Sequence, residues 1–155
     1  MRRRTAFRAL ALFAGASYPV ASLLAQARPA VEVWKDASCG CCKDWVRHLE
    51  SEGFDVRVND SGNTAARARL GIPQALGGCH TALVGGYAIE GHVPASDIRR
   101  LLKERPSAVG LAVPGMPVGS PGMDGPAYGG RKDRFDVLLV RRNGSSTVFQ
   151  AYKQG

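Results

Sequence analysis

A chain of 155 residues, 45% of them hydrophobic, has room for one domain with a modest core. Its formal charge of +8 raises the question of a nucleic-acid partner. Half of that charge sits on Arg2, Arg3, Arg4 and Arg8, and the other basic residues are scattered and not interleaved with stacking aromatics, which argues against one.

Arg2 to Arg4 form a charged start, Ala9 to Leu24 an apolar run broken by Ser17 and Pro19, and Ala25-Gln26-Ala27 a small-x-small cleavage site. This pattern reads as a signal peptide over 1–27, leaving a single domain over 28–155 and a periplasmic destination. The run falls short of the roughly 20 clean apolar residues of a spanning helix, so no stable membrane insertion is expected after cleavage. Arg3-Arg4 raises the twin-arginine route beside the general secretory one.

Val31-Glu32-Val33-Trp34 alternates like a strand, and from Cys42 the residues Trp45, Val46 and Leu49 mark the buried stripe of a helix. Between them, Cys39-Gly40-Cys41-Cys42 places three of the four cysteines at a strand-to-helix turn. There the first helical N–H groups lack partners and the dipole is positive, so thiolate is favoured over thiol. Gly53 stops the helix, and Phe54-Asp55-Val56-Arg57-Val58 alternates as a second, parallel strand. Asn63 or Thr64 caps a short helix that ends at Leu70. Thr81 to Val84, the turn Gly85-Gly86, and Tyr87 to Glu90 spell a hairpin. Pro94 opens a third helix with Ile98, Leu101 and Leu102 on one face. The order is β-α-β-α-β-β-α, an α/β, thioredoxin-like arrangement. A Gly/Pro/Met stretch without periodicity covers 107–131 and reads as a long loop, which in a small domain is often functional. An added C-terminal hairpin over 135–152, turning at Asn143-Gly144, extends the sheet edge.

The remaining soft or borderline ligands are Cys79, His80, His92, Met116, Met123 and His48. Cys79 and His80 begin the third strand, beside the C-terminal end of the first, where ligands collect in open α/β sheets. Regular alternation puts Cys79 and Thr81 on one face and turns His80 away, so His80 stands between ligand and structural hydrogen-bonder. His48 lies about 10 Å along the helix from Cys41 and is expected at the surface; Trp34 and Trp45 read as core. Thiolate, thioether and imidazole together select Cu(I). Cys41 and Cys42 point about 100° apart on a helix and suit bridging several ions better than converging on one. Four thiolates around one Cu⁺ carry a net charge of −3, whereas four Cu⁺ leave none to bury. A multinuclear Cu(I)-thiolate cluster on Cys39, Cys41, Cys42 and Cys79, with His92, Met116, Met123 and His80 as further ligands, fits this chemistry.

Cys39-Gly40-Cys41-Cys42, Gly78-Cys79-His80-Thr81, Gly86-Tyr87-Ala88-Ile89-Glu90-Gly91-His92-Val93-Pro94 and Gly115-Met116-Pro117-Val118-Gly119-Ser120-Pro121-Gly122-Met123 resemble the CopG-type periplasmic copper-resistance proteins over residues 31 to 125. The resemblance implies a thioredoxin-like fold, a copper cluster bridged by Cys39, Cys41, Cys42 and Cys79, and a role in copper tolerance with interconversion of Cu(I) and Cu(II), which would make the protein a copper oxidoreductase. Its partners would be copper ions and other periplasmic copper-handling proteins. The chief alternative is a thiol-disulfide oxidoreductase, since Cys39 and Cys42 satisfy Cys-x-x-Cys. Against it, Cys79 occupies the neighbourhood in which thioredoxin-like enzymes carry a cis-proline. Two structural disulfides are also open to an exported chain, although adjacent Cys41 and Cys42 make a poor framework for them.

Overall fold

The computed structural model describes residues 27–153; the expected signal peptide, apart from Ala27, lies outside them. No helix among the described residues is long and apolar enough to cross a membrane. The chain runs β1 (Ala30–Lys35), α1 (Gly40–Ser51), β2 (Asp55–Asn59), α2 (Thr64–Arg69), β3 (His80–Val84), β4 (Tyr87–Glu90), α3 (Ala95–Glu104), β5 (Gly110–Ala112), β6 (Phe135–Val140) and β7 (Ser146–Tyr152). The expected α/β order is present. The strands form one sheet in the order β2-β1-β3-β4-β5-β6-β7.

Alternation in the strands assigns the faces. Val31, Val33, Ala82, Val84, Ile89, Leu111 and Val137 point to one side, where they bury Trp45, Val46 and Leu49 of α1 and Ile98 and Leu101 of α3. Each large side chain so buried contributes about 1.5–3 kcal/mol, which outweighs the few tenths at stake in helix propensity per residue. The opposite face is covered by Ile72, packed on Ala88, Ala112 and Val140. Trp34 belongs to that second face. Expected in the core, it is only half-buried, with the Arg69 guanidinium 4.9 Å above its ring.

β1 pairs parallel with β2 and antiparallel with β3, setting Lys35 opposite His80. The β3–β4 hairpin keeps register from Val84↔Tyr87 to Thr81↔Glu90. It is closed by Gly85 and Gly86 at φ +54° and +86°, the positive values a two-residue turn needs. The stretch 107–131 departs from expectation: it contains β5, parallel to β4, and a 3₁₀ turn at Pro126–Tyr128. Periodicity cannot reveal a strand of three residues, and Gly110 is there because any Cβ would lie 1.7 Å from the Ala88 carbonyl oxygen. The hairpin of β6 and β7 extends the sheet as expected.

Candidate metal centre

The turn after β1 is tied by Asp36, whose carboxylate accepts from the Ser38 N–H at 2.9 Å and the Ser38 hydroxyl at 2.6 Å, while the Asp36 carbonyl accepts from Cys39 N–H at 3.1 Å. Cys39 thereby becomes the N-cap of α1, with Cys41 and Cys42 in its first turn. Cys42 is fully buried; Cys39, Cys41 and Cys79 are half-buried. The four sulfurs lie within 4.8 Å of one another. Cys41 and Cys42 were expected to diverge, yet both meet Cys79, whose Sγ is 3.9 Å from Cys41 Sγ and 3.3 Å from Cys42 Sγ. The third sulfur enters from the sheet between the two helical ones. Cys39 and Cys42 are joined as a disulfide, and Cys41 and Cys79 are free thiols.

Two imidazoles complete the group. Strand pairing starts at His80, so the alternation that would turn His80 from Cys79 does not extend back to residue 79. His80 Nδ1 lies 3.3 Å from Cys79 Sγ, with its ring 4.2 Å from that of Trp45 and its buried Nε2 without a hydrogen-bond partner among the described residues. His92 presents Nε2 to the same sulfur at 3.2 Å, and its Nδ1 donates to the Pro121 carbonyl at 2.8 Å. That bond fixes the tautomer which leaves Nε2 free to ligate. Metal–ligand bonds of about 2.0–2.3 Å put the ligands of a tetrahedron about 3.3–3.8 Å apart, and the contacts to Cys79 Sγ run from 3.2 to 3.9 Å, within 0.1 Å of that range. Cys79 is thus shared between a four-sulfur group and a Cys79-His80-His92 group.

The family described as "Protein of unknown function, DUF411" matches residues 76–123. No curated protein matches the chain. Two solved structures, named "Copper resistance protein copG- Form 2" and "Copper resistance protein copG- Form 1", are similar to it. They are 47% and 48% identical, with TM-scores of 0.75 and 0.74; each covers 81% of this chain, which covers 99% and 98% of theirs. The chain belongs to the CopG family of copper resistance proteins. Its cysteine cluster is the feature able to hold the metal that name implies.

Burial shapes the charge of this CopG-family site. It pushes the Cys79 thiol up to about 12, with the Cys41 charge adding to it. The helix-terminus activation expected of the thiols therefore does not extend to Cys79, which stands on the sheet side. Burial also holds His80 well below the ordinary imidazole range, helped by His92, and lowers His92. Both rings are kept neutral, the ligating form.

Sequence reasoning missed the frame behind Cys79. On the other face of the sheet, the buried Glu90 carboxylate accepts from Gly78 N–H at 2.7 Å, from Arg67 Nε at 2.8 Å and from the Thr81 hydroxyl at 2.6 Å. Arg67 and Asn63 donate to the Gly78 carbonyl at 2.6 and 3.2 Å. Gly78, the residue preceding Cys79, is held at both its N–H and its C=O. The signal available was Glu90 itself, a carboxylate within a strand otherwise made of core residues.

The 107–131 segment does fold against the site: besides Pro121 on His92, Gly122 at φ +84° presses on α1, where a Cβ would stand 2.7 Å from the Cys41 oxygen and the Trp45 nitrogen. Met123 is buried and its Sδ accepts from the Tyr128 hydroxyl at 3.2 Å, whereas Met116 is 54% exposed in a groove with Pro114, Pro117 and Phe135. His48 is not the surface residue expected. It is half-buried and its Nε2 accepts from the Ala95 N–H at 3.2 Å, joining α1 to the start of α3.

Proposed function

We propose that this is an exported, periplasmic copper-resistance protein whose Cys39, Cys41, Cys42 and Cys79 thiolates carry several Cu(I) ions. His92, His80, Met116 and Met123 serve as further ligands through which the copper passes between Cu(I) and Cu(II). The observation that carries the reading is the convergence of four sulfurs within 4.8 Å, with two neutral imidazoles at 3.2 and 3.3 Å from one of them. Soft sulfur suits Cu(I) and imidazole suits both states, so this mixture fits a site that changes oxidation state better than one that only stores Cu(I). Charge supports several ions, since four thiolates are neutralised by four Cu⁺ and not by one.

Anaerobic Cu(I) titration of the fully reduced protein tests the reading. More than one copper per chain is expected, and Ser at any one of the four cysteine positions should lower the number, because bridging ligands are shared. Saturation of the wild type at one copper would overturn the multinuclear site. A second reading, thiol-disulfide exchange, is favoured by one observation, the Cys39–Cys42 disulfide. It requires turnover of a disulfide substrate at a rate indifferent to copper.

A further inference from the structure

The disulfide and the ligand cluster compete for the same atoms, and the outcome of that competition is written in the geometry. Closing Cys39–Cys42 removes two sulfurs but no nitrogen from the site. Cys41 Sγ remains 3.9 Å from Cys79 Sγ, which remains 3.3 Å from His80 Nδ1 and 3.2 Å from His92 Nε2. Cys79 Sγ and the two imidazole nitrogens, all within 4.8 Å of one another, are still a group able to hold a metal ion.

We infer that the Cys39–Cys42 pair is the electron source for reduction of Cu(II), and that Cys79, His80 and His92 form a second copper site that holds Cu(I) while the pair is oxidised. The inference rests on the reading that the cluster takes copper. In the step, the two S–H bonds of Cys39 and Cys42 break and one S–S bond forms. Each sulfur gives up one electron, two Cu²⁺ become two Cu⁺, and two protons leave to solvent. One Cu⁺ stays on the one-sulfur, two-nitrogen group of Cys79, His80 and His92, and the other departs.

The pair is restored by a dithiol protein of the thioredoxin class. Cys39 is half-exposed at the N-cap and Cys42 is fully buried, so access directs the incoming thiolate to Cys39 Sγ, with Cys42 as leaving thiolate. The reductant's second thiol then displaces Cys39 and takes up the disulfide. Six donors thereby serve two states: four sulfurs with two nitrogens when reduced, one sulfur with two nitrogens when oxidised.

The experiment mixes reduced, copper-free protein anaerobically with two equivalents of Cu(II) sulfate. It follows Cu(II) by electron paramagnetic resonance, free thiols after denaturation in chelator, the new disulfide by peptide mass mapping, and copper kept after desalting. Loss of the Cu(II) signal, a fall from four thiols to two, a Cys39–Cys42 bond and one retained copper are expected. Cys39→Ser should at least halve the copper reduced, and His92→Ala should lose the retained copper. A direct measurement needs no variant: wild-type protein carrying the disulfide should bind one equivalent of Cu(I) through desalting. Four thiols surviving the loss of Cu(II), a disulfide elsewhere, or a disulfide form that keeps no Cu(I) would overturn the inference. Saturation of the reduced protein at a single copper would instead remove the multinuclear reading and leave this one standing.

Discussion

Cys79 carries the pH dependence of the site. Burial pushes its thiol up to about 12, so across the neutral range the copper-free protein keeps this proton, and a metal ion must displace it to gain the thiolate. The sign follows: each proton released on binding raises the apparent affinity about tenfold per pH unit, and this continues up to the raised value. Affinity measured by competition against a Cu(I) chelator of known affinity at pH 6, 7 and 8 should climb accordingly, and a flat profile would contradict the protonated Cys79. The histidines do not compete in this range, because burial holds both below the ordinary imidazole value. At this scale the chemistry was legible in the sequence, because cysteine and histidine are few and their spacing selective. The direction of His80 was not, since it hung on whether strand pairing reached residue 79.

Three elements meet at Gly78, the residue before Cys79, and Glu90 of β4 is the common acceptor for Gly78, Arg67 of α2 and Thr81 of β3. Glu90→Gln removes the charge that Arg67 neutralises while keeping the side chain's shape. A loss of about 1–3 kcal/mol in stability is expected from the weakened buried bonds, together with faster alkylation of Cys79 by a thiol reagent at fixed pH. Urea unfolding and rate measurements by mass spectrometry check the two effects. Lowered stability with unchanged alkylation would make Glu90 a residue of the fold alone. This frame could not be read beforehand because its partners are 9 to 23 residues apart in sequence, whereas α1 and the β3–β4 hairpin declare themselves through local periodicity. β5 escaped for a related reason, since its three residues are defined by pairing with β4 and β6 rather than by any pattern of their own.

Across the whole molecule the sheet separates the site from the C-terminal hairpin. From β3 to β7 the order crosses four strand spacings, about 19 Å. The hairpin is fastened instead to α3, where the Tyr152 hydroxyl donates to Asp97 Oδ2 at 2.7 Å and Arg100 donates to Phe149 O and Gln150 Oε1. Burial raises the Asp97 carboxyl, an effect the Tyr152 hydrogen bond opposes. Tyr152→Phe therefore leaves a buried carboxyl without its donor, and should cost about 1–3 kcal/mol with no change in copper per chain. Urea midpoints and metal analysis together test this; lost copper at unchanged stability would mean that the hairpin acts on the site. The Gly85-Gly86 turn reaches the site by a different kind of coupling. It lies at the closed end of a hairpin whose open end is Thr81↔Glu90, just short of Cys79 and His92. Strand side chains have a period of two, so the parity of the turn fixes which ones look toward α1. One residue added there, with β4 slipping one place along β3, would swing Glu90 round to the sulfurs and turn His92 away from Cys79. The turn is a counter: its two glycines touch no sulfur, yet their number is read out at the far end of the strands as the identity of the ligands.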